Sequence, residues 1–146
     1  MIRAYILDDE ERACNILRVL IEKHVPEISA VAWSTSPEKA IEQVRDFRPS
    51  LLFLDIKMPH WSGFDFLNQL GKWDFDVIFT TAFDQYAIRA IRFSALDYLL
   101  KPIDVAELKQ AVQSHLLRRE NNPLQQRMII GHLMDNLRQG QPATSN

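Results

Sequence analysis

Four strand-like apolar runs in this chain each end abruptly in residues that can do chemistry. Residues 4–7 are followed by Asp8-Asp9-Glu10-Glu11, and residues 51–54 by Asp55. Residues 77–79 lead into Thr80-Thr81, and residues 98–100 into Lys101-Pro102. Taken singly, each ending has an ordinary explanation. An acidic pair ahead of a helix complements its dipole, a lone Asp after a strand makes a turn, and a lone lysine is a solvated charge. Taken together, they offer several carboxylates, a hydroxyl and an ammonium. Oxygen donors without imidazole or thiolate beside them suit a hard ion, so Mg²⁺ is the expected metal, with Mn²⁺ the alternative. A divalent cation would relieve the repulsion among the carboxylates and neutralise phosphoryl oxygens. One carboxylate is then free to act as a nucleophile, and Asp55 is the best placed to attack a phosphoryl donor and carry an acyl phosphate. Lys101 would supply a compact positive charge to a phosphoryl oxygen, and Thr81 a hydrogen bond.

These residues can meet only if the runs that carry them lie side by side. Five short apolar runs, residues 4–7, 28–33, 51–54, 77–79 and 98–100, alternate with segments of helical period. Most lack polar alternation, as strands buried on both faces should, and the rhythm predicts a (βα)₅ parallel sheet covered by helices on both sides. Ala13, Leu17, Leu20 and Ile21 make one helical stripe, and Ala40, Ile41, Val44 and Phe47 another. Ser36-Pro37 supplies an N-cap and a proline at the first helical position. Phe64, Leu67 and Leu70 mark a third helix, and Ala87, Ile88 and Ile91 a fourth. Asp104-Val-Ala-Glu107 opens a fifth with an acidic variant of the capping box. In an open parallel sheet, ligands bind beyond the carboxyl ends of the strands, which is where all four polar endings would fall.

The chain has 146 residues with 17 basic and 19 acidic side chains, a net charge of −2. That length suits one domain with a short appendage, and the charge gives no global field to draw it onto nucleic acid or an anionic membrane. The amino terminus lacks a signal-peptide pattern and no apolar run is long enough to span a bilayer. The single Cys14 excludes an intramolecular disulfide, so a cytoplasmic location is expected.

The ordered motifs Ile6-Leu-Asp-Asp-Glu10, Leu54-Asp55-Ile-Lys-Met-Pro59 with Gly63 following, Thr81-Ala82 and Tyr98-Leu-Leu-Lys101-Pro102 resemble the receiver domain of bacterial two-component response regulators. The likeness covers roughly residues 2–119. The strings from Phe79 to Ile88 and from Ala95 to Pro102 are similar to the subgroup whose output is a LytTR-type DNA-binding domain. The resemblance implies a flavodoxin-like fold with strand order 2-1-3-4-5. It also implies a phosphorylation site at Asp55, served by a sensor histidine kinase or by a small acyl phosphate. Asp9 would bind Mg²⁺ directly and Asp8 through water, with Asp55 and the backbone carbonyl of Lys57 completing the ligands. Thr81 and Lys101 would contact the phosphoryl group, Tyr98 would follow as an aromatic switch, and the peptide bond before Pro102 would be cis. Movement of Thr81 would bias the α4-β5-α5 face, near which Ile88 and Ile91 are expected, and activation would bring a homodimer. Lys57 and Phe83, two positions beyond Asp55 and Thr81, are expected to flank the approach of water and set phosphoryl lifetime.

The division expected is a receiver over 1–119 and a linker over 120–146 with an extra helix through Leu124, Ile129, Leu133 and Leu137 and a frayed tail. DNA contact would require an output domain that these residues are too few to form, so either an excised receiver or a stand-alone one is expected. Two other readings compete: a Mg²⁺-dependent phosphatase or phosphotransferase with an aspartyl-phosphate intermediate, and a receiver that serves only as an interaction module. The first would need a second acid beyond the nucleophile, where Lys57 stands, and a cap insertion. His24, His60, His115 and His132 show no ligand spacing and read as surface or helix-end residues. Cys14 reads as a small helix residue, and Trp33, Trp61 and Trp73 as packing or loop residues.

Overall fold

The computed structural model describes residues 1–119 and Met134, with the side chain of Ile88 left out. The helix expected through residues 124–137 and the tail after it, Met134 apart, lie outside the described residues, as does His132. Along the chain, β1 (Ile2–Leu7), α1 (Glu11–His24), β2 (Ile28–Ser34), α2 (Pro37–Phe47) and β3 (Leu51–Asp55) are followed by α3 (Gly63–Leu70) and β4 (Asp76–Thr81). A short 3₁₀ turn at Asp84–Tyr86 leads into α4 (Ala87–Arg92), then β5 (Asp97–Leu100) and α5 (Val105–Arg119). The strands form one parallel sheet in the order β2-β1-β3-β4-β5. This is the doubly wound (βα)₅ arrangement expected from the alternation of runs.

Strand side chains alternate between two cores, because successive residues point to opposite faces of a sheet. Tyr5, Leu7, Leu52 and Leu54 meet Ala40 and Val44 of α2, Phe64 and Leu67 of α3, and Ala87 and Ala90 of α4. On the other face Ala4, Ile6, Leu51 and Phe53 meet Cys14, Leu17 and Ile21 of α1 and Leu108, Ala111 and Val112 of α5. β3 is buried along its whole length, which is why it reads as an unbroken apolar run.

Local signals place the helix starts. Ser36 accepts a hydrogen bond from the Lys39 amide at 3.3 Å, with Pro37 beginning α2. Asp104 accepts from the Glu107 amide at 3.0 Å ahead of α5. A complete capping box that was not anticipated starts α3: the Asp65 amide donates to Ser62 Oγ and the Ser62 amide to Asp65 Oδ2. The Ser-x-x-Asp spacing was there to be read. No described helix is long and apolar enough to cross a membrane.

Candidate functional site

Strand register brings the polar endings together. Leu7 pairs with Leu54 across β1 and β3, so Asp8 and Asp55 leave adjacent strands at the same level. On the other side of β3, Asp55 pairs with Thr80, and Thr81 pairs with Leu100 of β5. The Lys101 amide donates to the Thr81 carbonyl at 2.8 Å, which carries the lysine to the same edge. The peptide bond between Lys101 and Pro102 is cis.

Asp8, Asp9 and Asp55 each present a carboxylate oxygen, and the three oxygens lie within 4.8 Å of one another. Lys101 reaches across from β5 and places Nζ 2.7 Å from Asp8 Oδ2 and 3.5 Å from Asp55 Oδ1. Asp8 Oδ1 accepts from the Glu10 amide at 3.0 Å, so both of its oxygens are engaged. Asp8 and Asp55 are buried and Asp9 is half-buried.

This crowding has an electrostatic signature. Burial, reinforced by the charge of Asp8 and by interaction with Asp9, pushes the Asp55 carboxyl from its ordinary 3.8 up to about 7, against the opposing pull of Lys101. Burial works against the charged form of Lys101, yet hydrogen bonding to Asp8 and the charges of Asp55 and Asp8 leave it raised overall. Carboxylates that resist ionising side by side are poised to accept a cation. The donor set fits Mg²⁺ or Mn²⁺ in kind, since it consists of hard oxygens with neither imidazole nor thiolate among them.

The surrounding residues divide into those drawn to the site and those that are not. Thr81 is fully buried, and its Oγ1 accepts from the Phe83 amide at 3.2 Å. Tyr98 is turned inward, its hydroxyl donating to the Phe83 carbonyl, and burial raises its pKa. Lys57 lies just beyond β3, where it bridges to Ser62, and its ammonium sits 4.8 Å from the centroid of the Phe83 ring. Ile91 is exposed on α4, while of Ile88 only the backbone is described. His60 is exposed, with φ at 69°.

Two contributions were missed in the sequence. Cys14, on the first turns of α1, lies beneath the site and directs its thiol at the Asp8 backbone carbonyl, 3.4 Å away, and burial raises that thiol to about 12. Gly63 begins α3 so close to β3 that a Cβ there would stand 2.5 Å from the Asp55 carbonyl oxygen. His115 requires a correction. It is not a surface residue but is 2% exposed, with Nδ1 2.7 Å from Asp76 Oδ2, because the α5 face that carries it is turned into the sheet. It lies at the opposite end of β4 from Thr81 and takes no part in this site.

Residues 4–113 match the family model for the response regulator receiver domain. The chain belongs to that family. It is 40% identical over 111 residues to the sensory transduction protein LytT of Enterococcus faecalis, an alignment that spans 74% of this chain and 45% of LytT. It is 41% identical over 113 residues to the transcriptional regulatory protein BtsR of Escherichia coli K12, spanning 77% of this chain and 47% of BtsR. These relatives agree with the subgroup read from the strings around Thr81 and Lys101. The chain spans about half the length of the curated relatives it matches. Among solved structures, the receiver domain of AraT from Geobacillus stearothermophilus is similar at a TM-score of 0.71 and 29% identity, over 83% of this chain and 98% of that one. A two-component transcriptional regulator AraC from Clostridium phytofermentans gives 0.65 and 25%, over 84% and 100%. The receiver is a signalling domain, and receivers of this family work with histidine kinases.

Proposed function

We propose that this chain is a phosphorylatable switch in which Asp55 accepts a phosphoryl group from a sensor histidine kinase. The observation that carries the reading is the meeting of Asp8, Asp9, Asp55 and Lys101 at one sheet edge, within reach of a single phosphoryl group. An Asp55 carboxylate oxygen attacks phosphorus, the bond from phosphorus to the donor's imidazole nitrogen breaks, and the imidazole leaves with the electron pair. The product is an acyl phosphate on Asp55. Water attacking the same phosphorus later releases inorganic phosphate and restores the carboxylate.

Asp8, Asp9, Asp55 and the Lys57 carbonyl would hold Mg²⁺, or Mn²⁺ in its place. The cation supplies neutralisation of charge on the phosphoryl oxygens. Lys101 already lies between Asp8 and Asp55, so its ammonium is placed to follow charge that moves from the carboxylate onto the phosphoryl group. Thr81 would turn from the Phe83 amide to a phosphoryl oxygen. Because Phe83 is bonded to both Thr81 and Tyr98, that turn loosens the hold on Tyr98 and biases the face formed by α4, β5 and α5.

On this reading the chain acts in the cytoplasm, dimerises on activation and performs phosphoryl transfer only upon itself. Residues 1–119 form the receiver, and residues 120–146 a linker. Through an output domain of LytTR type it would reach DNA and control transcription. Lys57, whose ammonium faces Phe83, stands where an aspartyl-phosphate phosphatase would place its second acid, which disfavours the enzyme reading. Incubation with a small acyl phosphate and Mg²⁺, followed by intact mass measurement, tests the proposal. One phosphoryl adduct, absent from Asp55→Asn, is expected. Continuous phosphate release without an adduct would favour the enzyme, and no adduct from any competent donor the interaction module.

A further inference from the structure

We propose that the cleft at the amino-terminal edge of the sheet is a second ligand site, suited to a small phosphate ester of nucleotide type. The cleft has a volume of about 700 Å³ and lies between the end of α2, the loop before β4 and the end of α5. That is the size of a small-molecule site. Its wall includes Ser50, just before β3, whereas Asp55 ends that strand, so the two sites are separated by roughly 16 Å at the usual strand rise.

Charge identifies the ligand's first requirement. The chain as a whole carries a net charge of −2, yet this wall holds five Arg or Lys side chains against two Asp. Arg48, Lys72 and Arg119 have no acidic partner among the described residues. Such a wall repels metal ions and attracts anions with several oxygens, which arginine grips in bidentate fashion.

Two of the cationic groups are also held in place by hydrogen bonds. The Asp76 carboxylate, only 12% exposed, accepts from buried His115 at 2.7 Å and from Arg118 Nε at 3.1 Å. That arrangement ties the guanidinium of Arg118 to the sheet while leaving its remaining N–H groups available. Across the cleft, Arg45 donates to the Leu70 carbonyl at 3.3 Å. Arg48 closes α2 in the left-handed conformation, φ 53°, where glycine or asparagine would sit with less strain. Its amide is bonded to the Val44 carbonyl at 3.0 Å, which fixes the point at which the Arg48 side chain leaves the backbone. Restrained donors lose less freedom when they bind.

The second requirement is a ring. Trp73 and Phe75 also line the cleft, half-buried, with their planes 24° apart and centroids 6.2 Å apart. They give the basic wall a pair of aromatic rings beside which a base could stack. Phosphate oxygens and an aromatic ring in one small molecule describe a nucleotide.

The test uses the full chain without Mg²⁺, at 150 mM salt, titrated by calorimetry and by amide and indole NMR with GDP and, separately, with inorganic pyrophosphate. Both should bind, with resonance shifts at Trp73, Arg48 and Arg119, and GDP at least tenfold tighter than pyrophosphate. Arg48→Gln with Arg119→Gln should weaken both ligands tenfold or more, and Lys72→Gln should weaken them independently. Trp73→Leu should abolish the preference for GDP, and Asp55→Asn should change nothing. Unchanged melting temperatures in the arginine and lysine variants would show that binding, not folding, was lost. The proposal is overturned if neither ligand binds, if shifts map to Asp8 and Lys101, if affinity ignores the arginines, or if the two ligands bind equally.

Discussion

The ammonium of Lys57 rests over the ring of Phe83, 4.8 Å from its centroid, and so joins the loop after β3, two residues beyond Asp55, to the loop after β4. Phe83 as a whole is 39% exposed. Where Asp55 carries a phosphoryl group, as proposed, a pair that links those loops would restrict the approach of water to it. An exposed cation–π contact contributes about 0.5–1 kcal/mol, which corresponds to a factor of roughly two to five in a rate. Phe83→Ala should therefore shorten the life of the acyl phosphate by about that factor, followed as loss of the adduct mass with time. An unchanged decay would exclude the pair as a water barrier.

The raised pKa of Asp55 makes stability depend on pH in a direction opposite to that of most carboxylates. The folded chain holds this proton up to about pH 7, whereas the unfolded chain loses it near 3.8. Between those values the folded state binds more protons at Asp55, so the contribution of this group to stability is fully present below 3.8 and is lost as pH rises through 7. Urea midpoints in metal-free buffer should fall between pH 4 and pH 7.5. Asp55→Asn should flatten the profile. Added Mg²⁺, which needs the ionised carboxylate, should restore stability increasingly as pH rises.

Tyr98 offers a test of the connection between the site and its far face. Its hydroxyl donates to the Phe83 carbonyl, while the amide of the same Phe83 residue donates to Thr81. Tyr98→Phe keeps the ring in the core and removes only the hydroxyl. The expected cost is about 0.5–1.5 kcal/mol of unfolding free energy, that of one ordinary hydrogen bond. Amide exchange should quicken more at Phe83 through Tyr86 than in β1 and β3, whose slow amides should follow only the loss of global stability. A uniform change across the sheet would mean that the bond supports the fold at large rather than this loop.

Much of this arrangement could be read from the chain because parallel sheets write themselves plainly. The unbroken run Leu51 to Leu54 is apolar because both faces of β3 are covered, and the polar residue that follows it marks the carboxyl edge. That logic found Asp8, Asp55, Thr81 and Lys101 without any knowledge of their contacts. It could not find Cys14 beneath Asp8, since a buried thiol under a carboxylate leaves no periodic trace. Nor could it find the pairing of His115 with Asp76, which joins residues 39 positions apart on elements whose relative placement only the packed sheet decides. The helix at Ala87–Arg92 was anticipated from three apolar positions but is short, and a 3₁₀ turn takes up the residues before it. The capping box of Ser62 and Asp65 is legible in the sequence as Ser-x-x-Asp at the head of an apolar stripe.

Gly63 sets how closely α3 can approach Asp55, and its substitution separates crowding from helix stability. The first residue of α3 follows the Ser62 cap, and its amide donates to the Ile56 carbonyl at 2.7 Å, drawing the helix start against the strand end. A methyl group at position 63 would meet the Asp55 carbonyl oxygen at 2.5 Å and the Leu54 Cγ at 3.1 Å. The first of these is backbone, which cannot rotate away as a side chain would, so either α3 lifts or the end of β3 shifts. Overpacking of this kind costs about 1–3 kcal/mol. Gly63→Ala should lower the urea midpoint accordingly and also slow adduct formation at Asp55, because the displaced backbone carries the acceptor with it. Ser62→Ala removes one cap at a comparable cost of about 1 kcal/mol, yet leaves the contact with Asp55 untouched. It should weaken the fold without slowing phosphorylation. If both variants slowed the reaction in proportion to their loss of stability, the close approach of Gly63 would have no separate role in placing Asp55.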